Sequence, residues 1–168
     1  MKKFLAGAVA LPFAICAMQS FAQGRTSQTT DSLYERGLQE MAPNWHGLGK
    51  THDAAVFIHK QIRKTDNGMF AVWMHRELPG PGYIEKERAY LSTRDRIVVD
   101  CKNARIGATD MTYYSERFGN GAVVWATRKK PEMIEVVPDS VEDLLVKTAC
   151  TPKPRKTAPK PKAAATKE

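Results

Sequence analysis

The 168-residue sequence has few histidines and cysteines, the side chains that most often hold transition metals. Its four histidines, His46, His52, His59 and His75, and its three cysteines show none of the spacings of a metal-ligand or haem-ligand motif. The sequence also lacks a nucleophile elbow, a His-Glu-x-x-His motif and a glycine-rich phosphate loop. These absences argue against an enzyme, and we expect neither a metal nor another cofactor.

Long apolar runs are also absent, with one exception at the start of the chain. Lys2 and Lys3 precede an apolar run over residues 4–18, and small residues follow at Ser20 and Ala22. A basic start, an apolar middle and small residues at positions −3 and −1 are typical of a secretory signal. We predict a signal peptide over residues 1–22 and an exported protein in the periplasm or at the outer cell surface. With no second apolar run, it should be peripheral to the membrane at most.

The cysteines support export. Cys16 leaves one alternative open, a lipid anchor added at this residue, although Ile15 is not the small neighbour that such processing requires. Otherwise Cys16 leaves with the signal, and Cys101 and Cys150 remain in an oxidising compartment, where we expect them to pair. Such a bridge closes a loop of about 50 residues and should contribute roughly 4 kcal/mol by restricting the unfolded chain.

The net charge of +8 is unevenly distributed. Residues 23–150 carry 18 basic and 17 acidic side chains, so this part is nearly neutral, and we expect no nucleic-acid partner. The excess lies in a Lys/Pro/Ala-rich tail over residues 151–168, which we predict to be disordered. Its basic residues are Lys153, Arg155, Lys156, Lys160, Lys162 and Lys167. Two interpretations of the tail stay open: a solubilising segment, or one that binds anionic envelope polymers.

Local patterns predict one short helix followed by strands. The N-terminal segment, residues 23–44, contains a capping-box pattern from Ser32 to Glu35 and should form a short helix that ends before Pro43. Six extended segments follow without intervening helices, which favours an antiparallel sheet. The first begins at residue 54, and the other five cover residues 69–75, 89–101, 104–117, 122–128 and 133–137.

Three details of this sheet are also predicted. Residues 69–75 are apolar on both faces, which indicates a central strand, whereas residues 78–82, with two prolines and two glycines, should form a loop. The Asn120-Gly121 pair favours a tight hairpin. Alternation along residues 89–101 points Cys101 inward.

A C-terminal helix should begin at Pro138-Asp139-Ser140, with Asp139 or Ser140 as its cap. Its apolar stripe consists of Val141, Leu144, Leu145 and Thr148. At about 100° per residue, Cys150 lies opposite this stripe, so the helix should end before it. The predicted fold is α+β: an antiparallel sheet of about six strands, with the helix packed on one face and tied by the disulfide.

Aromatic residues provide the candidates for a binding surface. Strand alternation favours core packing for Trp73 and Trp125. Tyr113 and Tyr114 are better candidates, because adjacent strand residues point to opposite faces and one of them should be accessible.

Several of these segments resemble the surface-adhesin protein E family of Gram-negative bacteria. The resemblance covers residues 45–150 and consists of DCKN at 100–103, YYS at 113–115 before GNG at 119–121, VPDSVEDLL at 137–145, and Cys150. It implies a six-stranded antiparallel sheet with a disulfide-held helix on its concave side, often in a dimer. It also implies adhesion to host matrix proteins such as vitronectin and laminin.

This chain departs from the family pattern in two places. Met133 and Ile134 stand where family members often have a tryptophan, and the leader differs from that of the lipid-anchored founding adhesin. We therefore predict an exported, non-catalytic domain over residues 45–150 that binds host matrix or cell-envelope macromolecules. The alternative is a structural protein of the periplasm or envelope, held by its basic tail.

Overall fold

The computed structural model describes residues 28–151, so the predicted signal peptide, Cys16 and the tail basic residues lie outside the described part. The elements are α1 (Thr30–Glu40), β1 (Trp45–Lys50), β2 (Ala55–His59), β3 (Arg63–Lys64), β4 (Phe70–Ile84), β5 (Arg88–Asp100), β6 (Arg105–Tyr114), a 3₁₀ turn (Arg117–Gly119), β7 (Val123–Arg128), β8 (Ile134–Glu135) and α2 (Val141–Cys150).

The strands form one antiparallel sheet in the order β1-β2-β4-β5-β6-β7, and the short strands β3 and β8 pair with β4 and β6. This confirms the predicted α+β fold with its C-terminal helix. β4 lies between β2 and β5, as its apolar residues on both faces indicate. Strand β1 lies in a segment for which the sequence pattern predicts no strand.

Helix α2 covers one face of the sheet. Val72 and Met74 of β4 point to this face and are each 1% exposed. The helix contributes Leu145, Val146 and Ala149 to the same apolar cluster. Burial of each large side chain stabilises the fold by roughly 1.5–3 kcal/mol.

The orientation of α2 differs from the predicted stripe. Leu144 is 43% exposed and Thr148 is exposed, whereas Val146 and Ala149 are buried. The helix has therefore turned about its axis toward Val146 and Ala149. Because of this rotation, Cys150 lies at the edge of the buried face instead of opposite it.

The predicted disulfide joins Cys101 to Cys150, with their Cα atoms 5.7 Å apart. Two local predictions about it are wrong. Cys150 is the last residue of α2, so the helix does not end before it. Cys101 is exposed in the turn after β5 and does not point inward, because the strand ends at Asp100. The Asp100 carboxylate there accepts hydrogen bonds from the backbone N–H groups of Lys102 and Asn103, which closes the turn.

Ser140 is the N-cap of α2. Its hydroxyl accepts a hydrogen bond from the Asp143 N–H at 3.1 Å, and the Asp143 carboxylate accepts one from the Asp139 N–H at 3.0 Å. This reciprocal arrangement satisfies two backbone donors at the helix start. Asp139 itself, with φ of 61°, lies in the left-handed region just before the cap.

Helix α1 packs on the opposite face, over β1, β2 and one end of β4. Its cap is Thr29, whose hydroxyl accepts from the Ser32 N–H, so the helix begins earlier than the Ser32 pattern predicts. Leu33 packs against Phe57, and a Cβ at Gly37 would overlap the Phe57 ring. Gly37 therefore permits close contact between helix and sheet.

The predicted loop over residues 78–82 and the predicted tight hairpin at Asn120-Gly121 are both wrong. Residues 78–82 belong to β4, with a shift in the pairing register between Glu77 and Gly82. Prolines are tolerated there because ladder pairing is interrupted. The Asn120-Gly121 pair does not form a tight hairpin: Asn120 has φ of −94°, and the connection runs over residues 115–122. Phe118 within it is 6% exposed, and its burial against the α1 cluster explains the longer connection.

In the described part of the chain, neither helix is long and apolar enough to cross a membrane.

Loss of the disulfide should destabilise the fold. We expect Cys101→Ser to lower the free energy of unfolding by up to about 4 kcal/mol, because the unfolded chain regains the freedom of the closed loop. Thermal melting measures the effect. The melting temperature of Cys101→Ser should be about as low as that of the reduced wild-type protein. A melting temperature unchanged by reduction would contradict the stabilising role assigned to the bridge.

Candidate binding face

The sheet has an open area on the face opposite α2. Trp73 points there, since it alternates along β4 with the buried Val72 and Met74. Helix α1 covers only the β1 side of this face, and Trp73 is 38% exposed. The prediction that Trp73 belongs to the core is wrong, because no helix covers this part of a two-sided strand.

Charged residues continue this area across the sheet. The backbone register places Trp73 opposite Arg96, Arg96 opposite Asp110, and Asp110 opposite Arg128. These four residues form one row over β4, β5, β6 and β7. Directly paired residues on one face of an antiparallel sheet have Cβ atoms about 5 Å apart, so the side chains of the row are neighbours.

The outer end of the row contains an ion pair. Arg128 Nε lies 2.5 Å from Asp110 Oδ1, and Thr109 donates a hydrogen bond to the other carboxylate oxygen. Partial burial raises the pKa of Asp110, but these hydrogen bonds outweigh it and hold the pKa below its ordinary value. Asp110 is therefore ionised at neutral pH and neutralises Arg128.

Three open cavities of about 270, 340 and 420 Å³ meet at Trp73. Arg63 and Arg96 line the first, and Asp110 and Arg128 line the second. The third contains Trp45, Arg94 and Tyr114. We call the area formed by Trp73, Arg63, Arg94, Arg96, Asp110, Arg128 and Tyr114 the Trp73 face.

Arg94 forms the boundary of the Trp73 face toward α1. Its guanidinium lies 5.5 Å from the ring centroids of both Trp45 and Tyr114, and it donates a hydrogen bond to the Phe118 carbonyl at 2.9 Å. Two cation–π contacts and one hydrogen bond fix the position of this side chain. The face therefore has a rigid, aromatic border.

Tyr113 and Tyr114 lie on opposite sides of the sheet. Tyr114 belongs to the Trp73 face, whereas Tyr113 packs edge-on against Tyr90 and Trp125, with centroid distances of 4.8 and 5.1 Å. Burial and the neighbouring Asp95 raise the pKa of Tyr113. Of the two candidate tyrosines, the structure brings only Tyr114 together with Trp73.

Sequence reasoning missed the arginines of this face. A signal is present in β6, where Asp110 and Thr112 alternate with Met111 and Tyr113. In β5 the charged Asp95 between Arg94 and Arg96 hides the same pattern. Such alternation predicts one polar face per strand. Only the register shows that Arg96 and Asp110 lie in one row with Trp73.

A buried polar pair lies between this face and α1. His75 Nε2 is 2.6 Å from Glu77 Oε1, and both side chains are fully buried. Glu77 also accepts a hydrogen bond from the Phe118 N–H, and its second oxygen is 3.6 Å from Arg117. The pair therefore connects β4 to the 3₁₀ turn. Burial lowers the pKa of His75, although Glu77 acts in the opposite direction.

Within residues 28–151, no three His, Cys, Asp or Glu side chains are grouped so that they could hold a metal ion.

These features define a disulfide-tied α+β domain with one helix-covered sheet face and one partly open face. The chain belongs to the surface-adhesin protein E family, whose model matches residues 45–151. Helix α1 precedes the matched residues. The family is one of surface adhesins, which points to a binding protein and not to an enzyme.

Solved structures of Haemophilus influenzae protein E share this fold. One crystal form matches with a TM-score of 0.50 and 17% identity over 64% of this chain and 87% of that chain. A selenomethionine form matches with a TM-score of 0.52 and 16% identity over 64% and 85%. At such identities the likeness shows the fold alone. Among curated proteins, none matches this sequence.

Stability should depend on pH through His75. The unfolded state takes up a proton near pH 6.5, whereas the folded state, with its lowered pKa, does not. The stabilisation is therefore complete above about pH 6.5 and decreases as the pH falls below that value, by at most about 1.4 kcal/mol per pH unit. Urea unfolding at several pH values between about 7.5 and 5 measures this slope, because histidine side chains titrate in about this range.

We expect His75→Gln to reduce the slope, and His52→Gln, at an exposed position, to leave it unchanged. An unaltered slope in His75→Gln would contradict this assignment.

Proposed function

We propose that this protein is an exported, non-catalytic binding module that engages a host-matrix or cell-envelope macromolecule through the Trp73 face. The observation that carries the proposal is that Trp73 is exposed and has arginines around it, on the part of the sheet that neither helix covers. Aromatic and arginine side chains contribute most of the binding energy at protein interfaces. Membership of a surface-adhesin family supports the same function.

The shape of the face also supports a macromolecular ligand. Its three cavities are open and adjoin one another at Trp73. A small molecule that is bound tightly usually has most of its surface enclosed. An open platform instead suits a ligand that extends across several strands.

Location and binding can be tested together. We expect protease treatment of intact cells to remove the protein, and the purified wild type to bind immobilised matrix proteins such as vitronectin or laminin. Trp73→Ala should weaken that binding by about tenfold or more, since a central aromatic residue of an interface contributes 2 kcal/mol or more. Tyr83→Ala, which removes another exposed aromatic side chain (58% exposed), is the matched control.

Protection of the protein in intact cells would exclude the adhesin function and favour a partner in the envelope. Equal binding by wild type and Trp73→Ala would exclude the Trp73 face as the binding surface.

The second candidate function is a periplasmic or envelope protein held electrostatically by its tail. The observation that favours it is the concentration of six basic residues and one acidic residue in residues 151–168, beside a nearly neutral domain. Such a segment is attracted to anionic polymers, and salt screens the attraction.

Deletion of residues 151–168 should abolish salt-sensitive retention on isolated envelopes, because the domain alone has little net charge. A control protein keeps a tail of the same length but has glutamine in place of the lysines and the arginine of the tail. It should also lose its salt-sensitive retention. Retention that survives both changes would leave the tail as a solubilising segment.

A further inference from the structure

We propose that the ligand of the Trp73 face is an acidic polysaccharide. In this complex the Trp73 indole stacks on a sugar ring, and the neighbouring arginines bind the carboxylate or sulfate groups of the polymer. This inference rests on the proposed function, since it names the class of macromolecule that the same face binds.

The charge of the face favours an anionic ligand. Four arginines and one aspartate lie around the three cavities, so the formal excess is three positive charges. The excess is local, because residues 23–150 as a whole carry only one net positive charge. Asp110 is already paired with Arg128.

Arg63 and Arg96 are the cations available to a ligand. Both are exposed, both line the cavity beside Trp73, and within residues 28–151 neither has a carboxylate oxygen within 4 Å. Arg63 donates one hydrogen bond, at 3.3 Å, to the neutral amide of Gln61. A guanidinium presents a planar pair of donors that matches a carboxylate or sulfate group.

An acidic peptide fits this area less well than a polysaccharide. The backbone N–H and C=O groups of β4, β5 and β6 pair with neighbouring strands on both sides, so the centre of the sheet offers an extended peptide no strand to pair with. Peptides that add to a sheet do so at an edge. The Trp73 face provides only side chains, namely an aromatic ring and charged groups.

A single-stranded nucleic acid is also disfavoured. Proteins that bind such strands use several accessible aromatic rings, on which successive bases stack. Trp73 is the exposed indole of this face, whereas Trp45 is held edge-on against His59 and lies beside Arg94. Tyr114 is half-buried and also lies beside Arg94, so Trp73 is the one exposed ring of the face. One exposed ring surrounded by arginines suits a polymer whose rings stack singly and whose charges are regularly spaced.

The experiment measures binding of the full exported chain to polygalacturonate by calorimetry at physiological salt, with neutral dextran as the uncharged polymer. We expect the wild type to bind polygalacturonate and not dextran. Trp73→Ala and Arg96→Gln should each weaken binding about tenfold, which corresponds to about 1.4 kcal/mol. All variants retain the basic tail, so the contribution of the tail is common to all of them.

Two control variants test whether the effect is specific to the face. Lys86→Gln makes the same charge change in the exposed turn between β4 and β5, and Tyr83→Ala removes an exposed ring outside the face. Both should bind polygalacturonate as the wild type does. Melting temperatures equal to that of the wild type would confirm that Trp73→Ala and Arg96→Gln are folded.

The inference is overturned if Trp73→Ala and Arg96→Gln bind polygalacturonate like the wild type, if dextran binds equally well, or if an oligonucleotide or an acidic peptide binds more tightly. Matrix-protein binding that requires Trp73, without any binding to polygalacturonate, would refute this inference and leave the proposed function intact. Trp73-independent binding of every ligand would refute both.

Discussion

The structure depends on the central strand β4, which has apolar side chains on both faces and therefore needs cover on both sides. Helix α2 covers Val72 and Met74. Burial of Leu145 and the disulfide between Cys150 and Cys101 hold this helix in position. On the other face α1 covers only the β1 side. The uncovered remainder is the Trp73 face, so the proposed binding surface arises from incomplete cover of a two-sided strand.

A polar network marks the limit of the α1 cover. Glu77 accepts from the Phe118 N–H, and Arg117 donates to the carbonyls of Leu78 and Pro79. Arg94 reaches the Phe118 carbonyl from the adjacent strand. The irregular end of β4, the 3₁₀ turn and the border of the Trp73 face are thus connected by hydrogen bonds, and buried networks of this kind fix one arrangement of the elements that they join.

The residues of the Trp73 face lie within the matched part of the chain, but of these residues only Tyr114 belongs to the segments that carry the resemblance. The segments that carry the resemblance include the Cys101 turn and the start of α2, both of which hold the helix in place. The Trp73 face lies on the other side of the sheet, and α1, which borders it, precedes the matched residues. A shared fold therefore does not specify what this face binds, because all side chains of the face except Tyr114 lie outside the segments that carry the resemblance.

Much of the architecture could be predicted from local pattern. Alternating strands without intervening helices indicated an antiparallel sheet, apolar residues on both faces of β4 indicated a central strand, and two cysteines in an exported chain indicated the disulfide. The predictions that failed depended on distant contacts. Residues 78–82 stay within β4, and Phe118 lengthens the connection that Asn120 and Gly121 were expected to close.

The amino-acid sequence by itself determined the fold class, the position of the bridge, the start of α2 and the expected export, because each depends on neighbouring residues or on composition. Tertiary structure alone decided which side of α2 is buried, where α1 stops covering the sheet, and that Trp73, Arg96, Asp110 and Arg128 form one row. The physical reason is that strand register and helix rotation are set by packing between segments far apart in the chain, and a local pattern does not contain that information.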